Sequence, residues 1–323
     1  MPDIITHYRF GEKVLGLLES GCEIERGIFD HATAGPDVWF SYRFWKPSAQ
    51  RGRPARGTEM QHEKTGDFLR ALAWETKRSP ARRELFSYLA GFLCHYQLDQ
   101  TAHPYIIYFT GSYDGTEATL SNRGNHMRLE HALDWRELRR WSKSLSDRPI
   151  TRDILRLRAL PESLRDGLNA AYERVYGWLD VWAELNRAIG DQRRFYALAQ
   201  DPSGVLDAVL RSVDNGRSHR DLTAISYHGK ACEGVDVENE AHRLWRHPCD
   251  GTIESRESFA ELTDRAAQKA AAMIAAAWAF VKDANAPLPV GAFGDASYET
   301  GFDWRDPRNQ AARICDLLPL AKR

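Results

Sequence analysis

Apolar side chains recur along most of the chain at intervals of three and four, the period of an α-helix that buries one face. The rhythm predicts helices over 10–20, 58–78, 82–102, 123–143, 161–189, 203–212 and 255–283, and two-residue strand alternation is nearly absent. Pro161 stands at the first position of the fifth helix, where its missing N–H is harmless, and the seventh is Ala-rich with strong helix propensity; both read as long core helices. SAQRGRPARG at 48–57 reads as a surface loop. The polar stretch from 214 to 254 reads as a lid or an excursion packed over a site. YETGFDW near the end is expected to fold back on the body. The expectation is an all-α fold, one multi-helix domain spanning 1–323.

Composition narrows the function classes. A length of 323 residues with 43% hydrophobic content supports a sizeable core. The 44 basic and 45 acidic residues nearly cancel, so no global field draws in nucleic acid or an anionic membrane, and an anionic substrate must be held locally. The opening MPDIITHYRFGEKVLGLLES lacks the pattern of a secretory signal, and no stretch reaches 18 apolar residues, so the expected location is cytoplasmic. Cys22, Cys94, Cys232, Cys249 and Cys315 have no CxxC spacing, which argues against a disulfide framework and a thiolate metal site.

The chemistry concentrates between His62 and Glu130. On a helix, His95, Asp99 and His103 of YLAGFLCHYQLDQTAHPYI leave the axis at about 0°, 40° and 80°, on one face. Placed in an otherwise apolar helix, these polar groups would be orphaned in a core unless something binds them, so they read as a metal-binding stripe. Pro104 disfavours helical geometry at His103, which predicts fraying there and an imidazole turned away from the other two, so that one helix serves two metals. His126 and Glu130 share a helix face and can chelate one ion, while His131 points aside. His62 precedes an amphipathic run that could turn it inward. Asp37 follows the turn pair Gly35-Pro36, as a carboxylate presented from a rigid loop or as an N-cap. His219, His228, His242, His247 and Cys249 lie in polar sequence and read as surface or loop residues.

His7, then Gly-Pro-Asp at 35–37, then His62, HxxxDxxxHP at 95–104 and HxxxE at 126–130 together resemble the zinc-dependent phospholipase C family, related to zinc-dependent single-strand nucleases. The resemblance covers roughly residues 1–135, with a shorter gap between Asp99 and His103 than in secreted members. It implies an all-α fold holding two to three zinc ions: one on His62, His95, Asp99 and Asp37, another on His103, His126 and Glu130, and a third on His7 with Asp99 bridging. It also implies phosphodiester hydrolysis by attack of zinc-bound hydroxide, with a phospholipid as a candidate substrate and transient membrane contact as a candidate mode of access. Zinc suits that reaction because it acidifies water and neutralises phosphoryl charge. Asp37 stands as ligand or as general base.

Two other readings remain. A nuclease or nucleotidase on the same fold would stack bases on an aromatic wall, for which Tyr8, Trp39, Phe40, Tyr96, Tyr105 and Tyr108 are candidates, without a stable nucleic-acid complex. A catalytically inactive, zinc-stabilised helical binding protein would close its metal sites with four protein ligands, whereas His103, His126 and Glu130 leave one position open. A ferritin-like oxidase would need Glu-x-x-His motifs on separate helices, whereas this region offers His-x-x-x-Asp and His-x-x-x-Glu.

Overall fold

The computed structural model describes residues 3–18, 21–113, 116–214, 222–227, 234–311 and 313–320. His219, His228 and Cys232 lie outside the described residues. The architecture is all-α with one small two-stranded sheet. The helices are α1 (Ile4–Leu17), α2 (Arg26–Ala32), α3 (Ser48–Arg51), α4 (Pro54–His62), α5 (Thr65–Arg78), α6 (Arg82–Thr110), α7 (Leu120–Arg140), α8 (Arg165–Tyr176), α9 (Trp182–Ala199), α10 (Val205–Asp214) and α11 (Phe259–Lys282). Strands β1 (Trp245–His247) and β2 (Asp250–Ser255) pair antiparallel within the stretch expected to be a polar loop. No helix among the described residues is long and apolar enough to cross a membrane.

Helix α6 is the axis of the fold. From Leu85 to Thr110 it is buried on nearly every side, as a helix apolar all round must be, and it packs chiefly against α11 and α2 and also against α5, α1 and α7. Ser258 and Glu261 form a capping box that starts α11 at Phe259, four residues inside the expected range.

The helix boundaries depart from expectation for local reasons. Helix α1 begins six residues early, because the Asp3 carboxylate accepts the Ile4 N–H and Asp134 of α7 accepts the N–H groups of Ile5 and Thr6, each at 2.8 Å. The expected 58–78 helix is two, broken at Lys64 with φ +54°. The expected 161–189 helix is likewise two, with a turn at Gly177. Residues 48–57, expected as a loop, hold α3 and the start of α4. The expected fraying at His103 does not occur. Pro104 sits inside α6, and the Gln100 carbonyl, which a residue with an N–H would have bonded, instead faces Gly301, where a Cβ would lie 2.5 Å from the oxygen.

Candidate metal centre

Two ligand groups line α6. The first joins His7 of α1 to His95 and Asp99, their ligand atoms all within 4.8 Å of one another. His7 Nε2 stands 3.2 Å from Asp99 Oδ1, and His95 Nε2 stands 3.0 Å from Asp99 Oδ2. The two imidazoles stack with centroids 4.1 Å apart and planes 18° from parallel. One turn of helix from His95 to Asp99 thus gives each carboxylate oxygen its own imidazole. The second group joins His103 of α6 to His126 and Glu130 of α7, again within 4.8 Å, with His126 Nε2 2.8 Å from Glu130 Oε1.

Backbone carbonyls orient the α6 imidazoles. His95 Nδ1 lies 3.0 Å from the Thr33 carbonyl, and His103 Nδ1 lies 2.9 Å from the Tyr298 carbonyl. A carbonyl only accepts, so each Nδ1 carries a proton and Nε2 is the atom left to face a metal, the orientation found in metal-bound histidines. Gly35 makes room for His95: its φ is +50°, and a Cβ there would fall 2.3 Å from the ring.

The electrostatics suit a cation. Burial holds His7 down at about 4 and His103 at about 3, and it holds His126 well below its ordinary value, so all three imidazoles are neutral at pH 7. Burial would raise Asp99, but the imidazoles of His95 and His7 override it and keep the carboxylate well below the usual range. Burial would lower His95, and Asp99 and Asp37 instead raise it. Among the described residues, neither nitrogen of His7, nor His95 Nε2, nor either Asp99 oxygen makes a hydrogen bond of good geometry, although all are shut off from solvent. Convergent nitrogen and carboxylate donors left this way are what a zinc ion satisfies, so the residues fit the metal.

The remaining expected residues fall beside these groups. Asp37, on a 3₁₀ turn over Gly35–Ser41, approaches His95 Nε2 to 3.9 Å, accepts from Gln61 Nε2 at 2.8 Å, and is pushed up to about 7 by burial. His62 joins neither group. It ends α4 with Nδ1 on the Thr58 carbonyl one turn back and Nε2 3.2 Å from Glu299, and its side chain is 43% exposed. The helix break at Lys64 removes the continuous helix that was expected to aim it inward. His131 pairs with Asp3 instead of a ligand group. His247 and Cys249, expected as surface or loop residues, are buried where β1 meets β2, His247 at the end of the strand and Cys249 in the turn as a loop residue. Thr33, Gln61, Tyr298 and Glu299 escaped the sequence reading. The first and third act here through backbone oxygens that no side-chain pattern reports.

Acid should destabilise the metal-free chain. Between about pH 6.5 and 4 the unfolded chain protonates its histidines, while His7, His31, His103 and His126, all lowered by burial, resist. Asp37 and Asp134, raised to about 7 by burial, act with the opposite sign in that window. Four imidazoles against two carboxylates leave stability falling with falling pH, by up to about 3 kcal/mol per pH unit. Thermal midpoints of metal-free protein at pH 7 and pH 5 check this; equal midpoints would contradict the buried, neutral imidazoles.

Residues 6–178, more than half of the 323-residue chain, match the family described as zinc dependent phospholipase C. No curated protein and no solved structure matches. With the match covering more than half of the chain, on an all-α frame that carries two candidate ligand groups, the chain belongs to the zinc-dependent phospholipase C family.

Proposed function

We propose that the chain hydrolyses a phosphodiester, with the head-group bond of a phospholipid as its substrate class. The observation that carries the reading is the pair of ligand groups set one turn apart along α6, His7–His95–Asp99 and His103–His126–Glu130, inside the matched span. Zinc held there supplies charge neutralisation for the phosphoryl oxygens and acidifies water beside it. His7, His95 and Asp99 would hold zinc at the first group, and His103, His126 and Glu130 would hold it at the second, whose three protein ligands are fewer than the four of a closed structural site.

Asp37 serves as the base. Unlike the fully buried members of the first group it is partly exposed, and Gln61 fixes one of its oxygens. It takes a proton as water attacks phosphorus; the P–O bond to the leaving alcohol breaks, and the proton passes to the departing oxygen. The products are an alcohol and a phosphomonoester. The aromatic wall expected of a nuclease is not supported: Tyr8, Trp39, Tyr96, Tyr105 and Tyr108 are buried in the packing, and Phe40 is half-buried.

The test is zinc content by elemental analysis, followed by hydrolysis of phosphatidylcholine in mixed micelles, a model diester, and single-stranded DNA. Two or three zinc ions with lipid and diester cleavage, abolished by chelation and restored by zinc, are expected. Asp37→Asn should keep its zinc and lose about 10²- to 10⁴-fold in rate; loss of an ion instead would make Asp37 a ligand. Zinc without hydrolysis of any substrate would overturn the enzyme reading.

A further inference from the structure

We propose that residues 294–301, outside the matched family span, are a working part of the metal centre: they form a strap that positions His103 for its ion. The inference rests on reading His103, His126 and Glu130 as ligands. It adds a C-terminal component that no feature of residues 6–178 announces.

The strap follows α6 along its ligand stripe. At one end, Tyr96 Oη donates to the Gly294 carbonyl at 2.7 Å and accepts the Ala296 N–H at 2.9 Å. Tyr298 is then buried edge-on to Tyr96, with its ring centroid 5.8 Å from that of His95. Its N–H donates to the Gln61 carbonyl at 3.0 Å, and Gln61 in turn holds Asp37. The Tyr298 carbonyl receives His103 Nδ1–H, which assigns the lone pair to Nε2. At the other end, Gly301 takes φ +72° against the Gln100 carbonyl, the oxygen that Pro104 leaves without its helical donor. Any side chain at 301 meets that oxygen.

The outer face of the strap is anchored as well. Glu299 binds His62 at 3.2 Å and Arg313 at 3.3 Å, Arg313 reaches Cys249 Sγ at 2.8 Å, and His247 Nε2 meets the Thr300 carbonyl at 2.8 Å. The strap is thus clamped between α6 and the β1–β2 hairpin, and His62 serves the clamp. A carbonyl held on both sides fixes the imidazole ring plane as well as its tautomer. Tyr298 is a positioning residue that acts through His103.

The experiment uses the full chain loaded with zinc. Affinity for each ion is measured by chelator competition in the native chain, Gly301→Ala, Glu299→Gln, His126→Ala and the double variant Gly301→Ala with His126→Ala. In Gly301→Ala, the ion that His126→Ala removes should bind about 10- to 100-fold more weakly, the cost typical of losing an outer partner of a ligand. The other ion should be unchanged, in the double variant too. Glu299→Gln, which adds no bulk, should shift the same ion in the same direction by less. In chain carrying ¹⁵N-histidine, the His103 Nδ1–H resonance should persist in the native protein and shift or vanish in Gly301→Ala. Unchanged affinity in both single variants, or equal weakening of both ions, overturns the positioning role and leaves the strap a packing element. If Gly301→Ala does not fold, unchanged affinity in Glu299→Gln is decisive against it. A native chain lacking the His126-dependent ion overturns the underlying ligand reading too, and that measurement comes first.

Discussion

Asp99→Asn is expected to remove at least one zinc ion and to abolish hydrolysis while leaving the fold intact. Each Asp99 oxygen faces a different imidazole, at 3.2 Å for His7 and 3.0 Å for His95, and the side chain is fully buried. Asparagine keeps the shape but offers one neutral oxygen in place of two sharing a charge, so one imidazole loses its co-ligand. The rate should fall by more than the ~10²-fold upper cost of removing an outer partner of a metal ligand. Stability of the metal-free chain should fall, because the imidazoles hold the Asp99 carboxylate well below the usual range and its loss leaves the buried His95 without the partner that raises it. Elemental analysis, diester hydrolysis and a thermal midpoint read the three effects separately. A variant with full zinc and native rate would exclude Asp99 from the centre.

Gly35→Ala is expected to damage both the fold and the first ligand group. Its φ of +50° puts an alanine in the left-handed region, at about 1–2 kcal/mol. The new Cβ would sit 2.3 Å from Cδ2 and 2.4 Å from Cγ of His95. His95 has nowhere to go, since it stacks on His7 at 4.1 Å and is tied to the Thr33 carbonyl. Overpacking adds about 1–3 kcal/mol, for a total loss of roughly 2–5 kcal/mol. The ion of the first group should be lost with it. Gly52→Ala is the matched control, because its φ of +78° is equally left-handed while nothing lies within 4 Å of the new methyl. It should show the backbone strain alone and keep its zinc. Equal behaviour of the two variants would mean that Gly35 does not cradle His95.

The stripe was legible in the sequence because helical spacing is a geometric statement: His95, Asp99 and His103 at four-residue intervals must share a face of α6, as must His126 and Glu130 on α7. Two distinct ligand groups on one helix were expected too, although the expected cause, fraying before Pro104, is absent. Both groups form on an unbroken helix because the second borrows its partners from α7. His7 entered only through family resemblance; nothing local marks one histidine on an amphipathic helix as the partner of a residue 92 positions later. His62 was misplaced because its direction depends on the break at Lys64, a left-handed non-glycine residue that periodicity does not reveal. Helix α2 and the turn bearing Asp37 were too short to show a period. The carbonyls of Thr33 and Tyr298 belong to every residue type alike and leave no trace in composition.

The bond from His103 to Tyr298 spans 195 residues, and this separation has a consequence for the order of events during synthesis. The ligands of the first group have all been translated once Asp99 is made, whereas the partner that orients His103 comes near the end of the chain. At a translation rate of about 5–20 residues per second, the interval between the two is roughly 10–40 s. On the proposed assignment a nascent chain would bind an ion at the first group early, whereas the second group would bind tightly only once Tyr298 is in place, so products truncated before Tyr298 are expected to carry less metal than their ligand count implies.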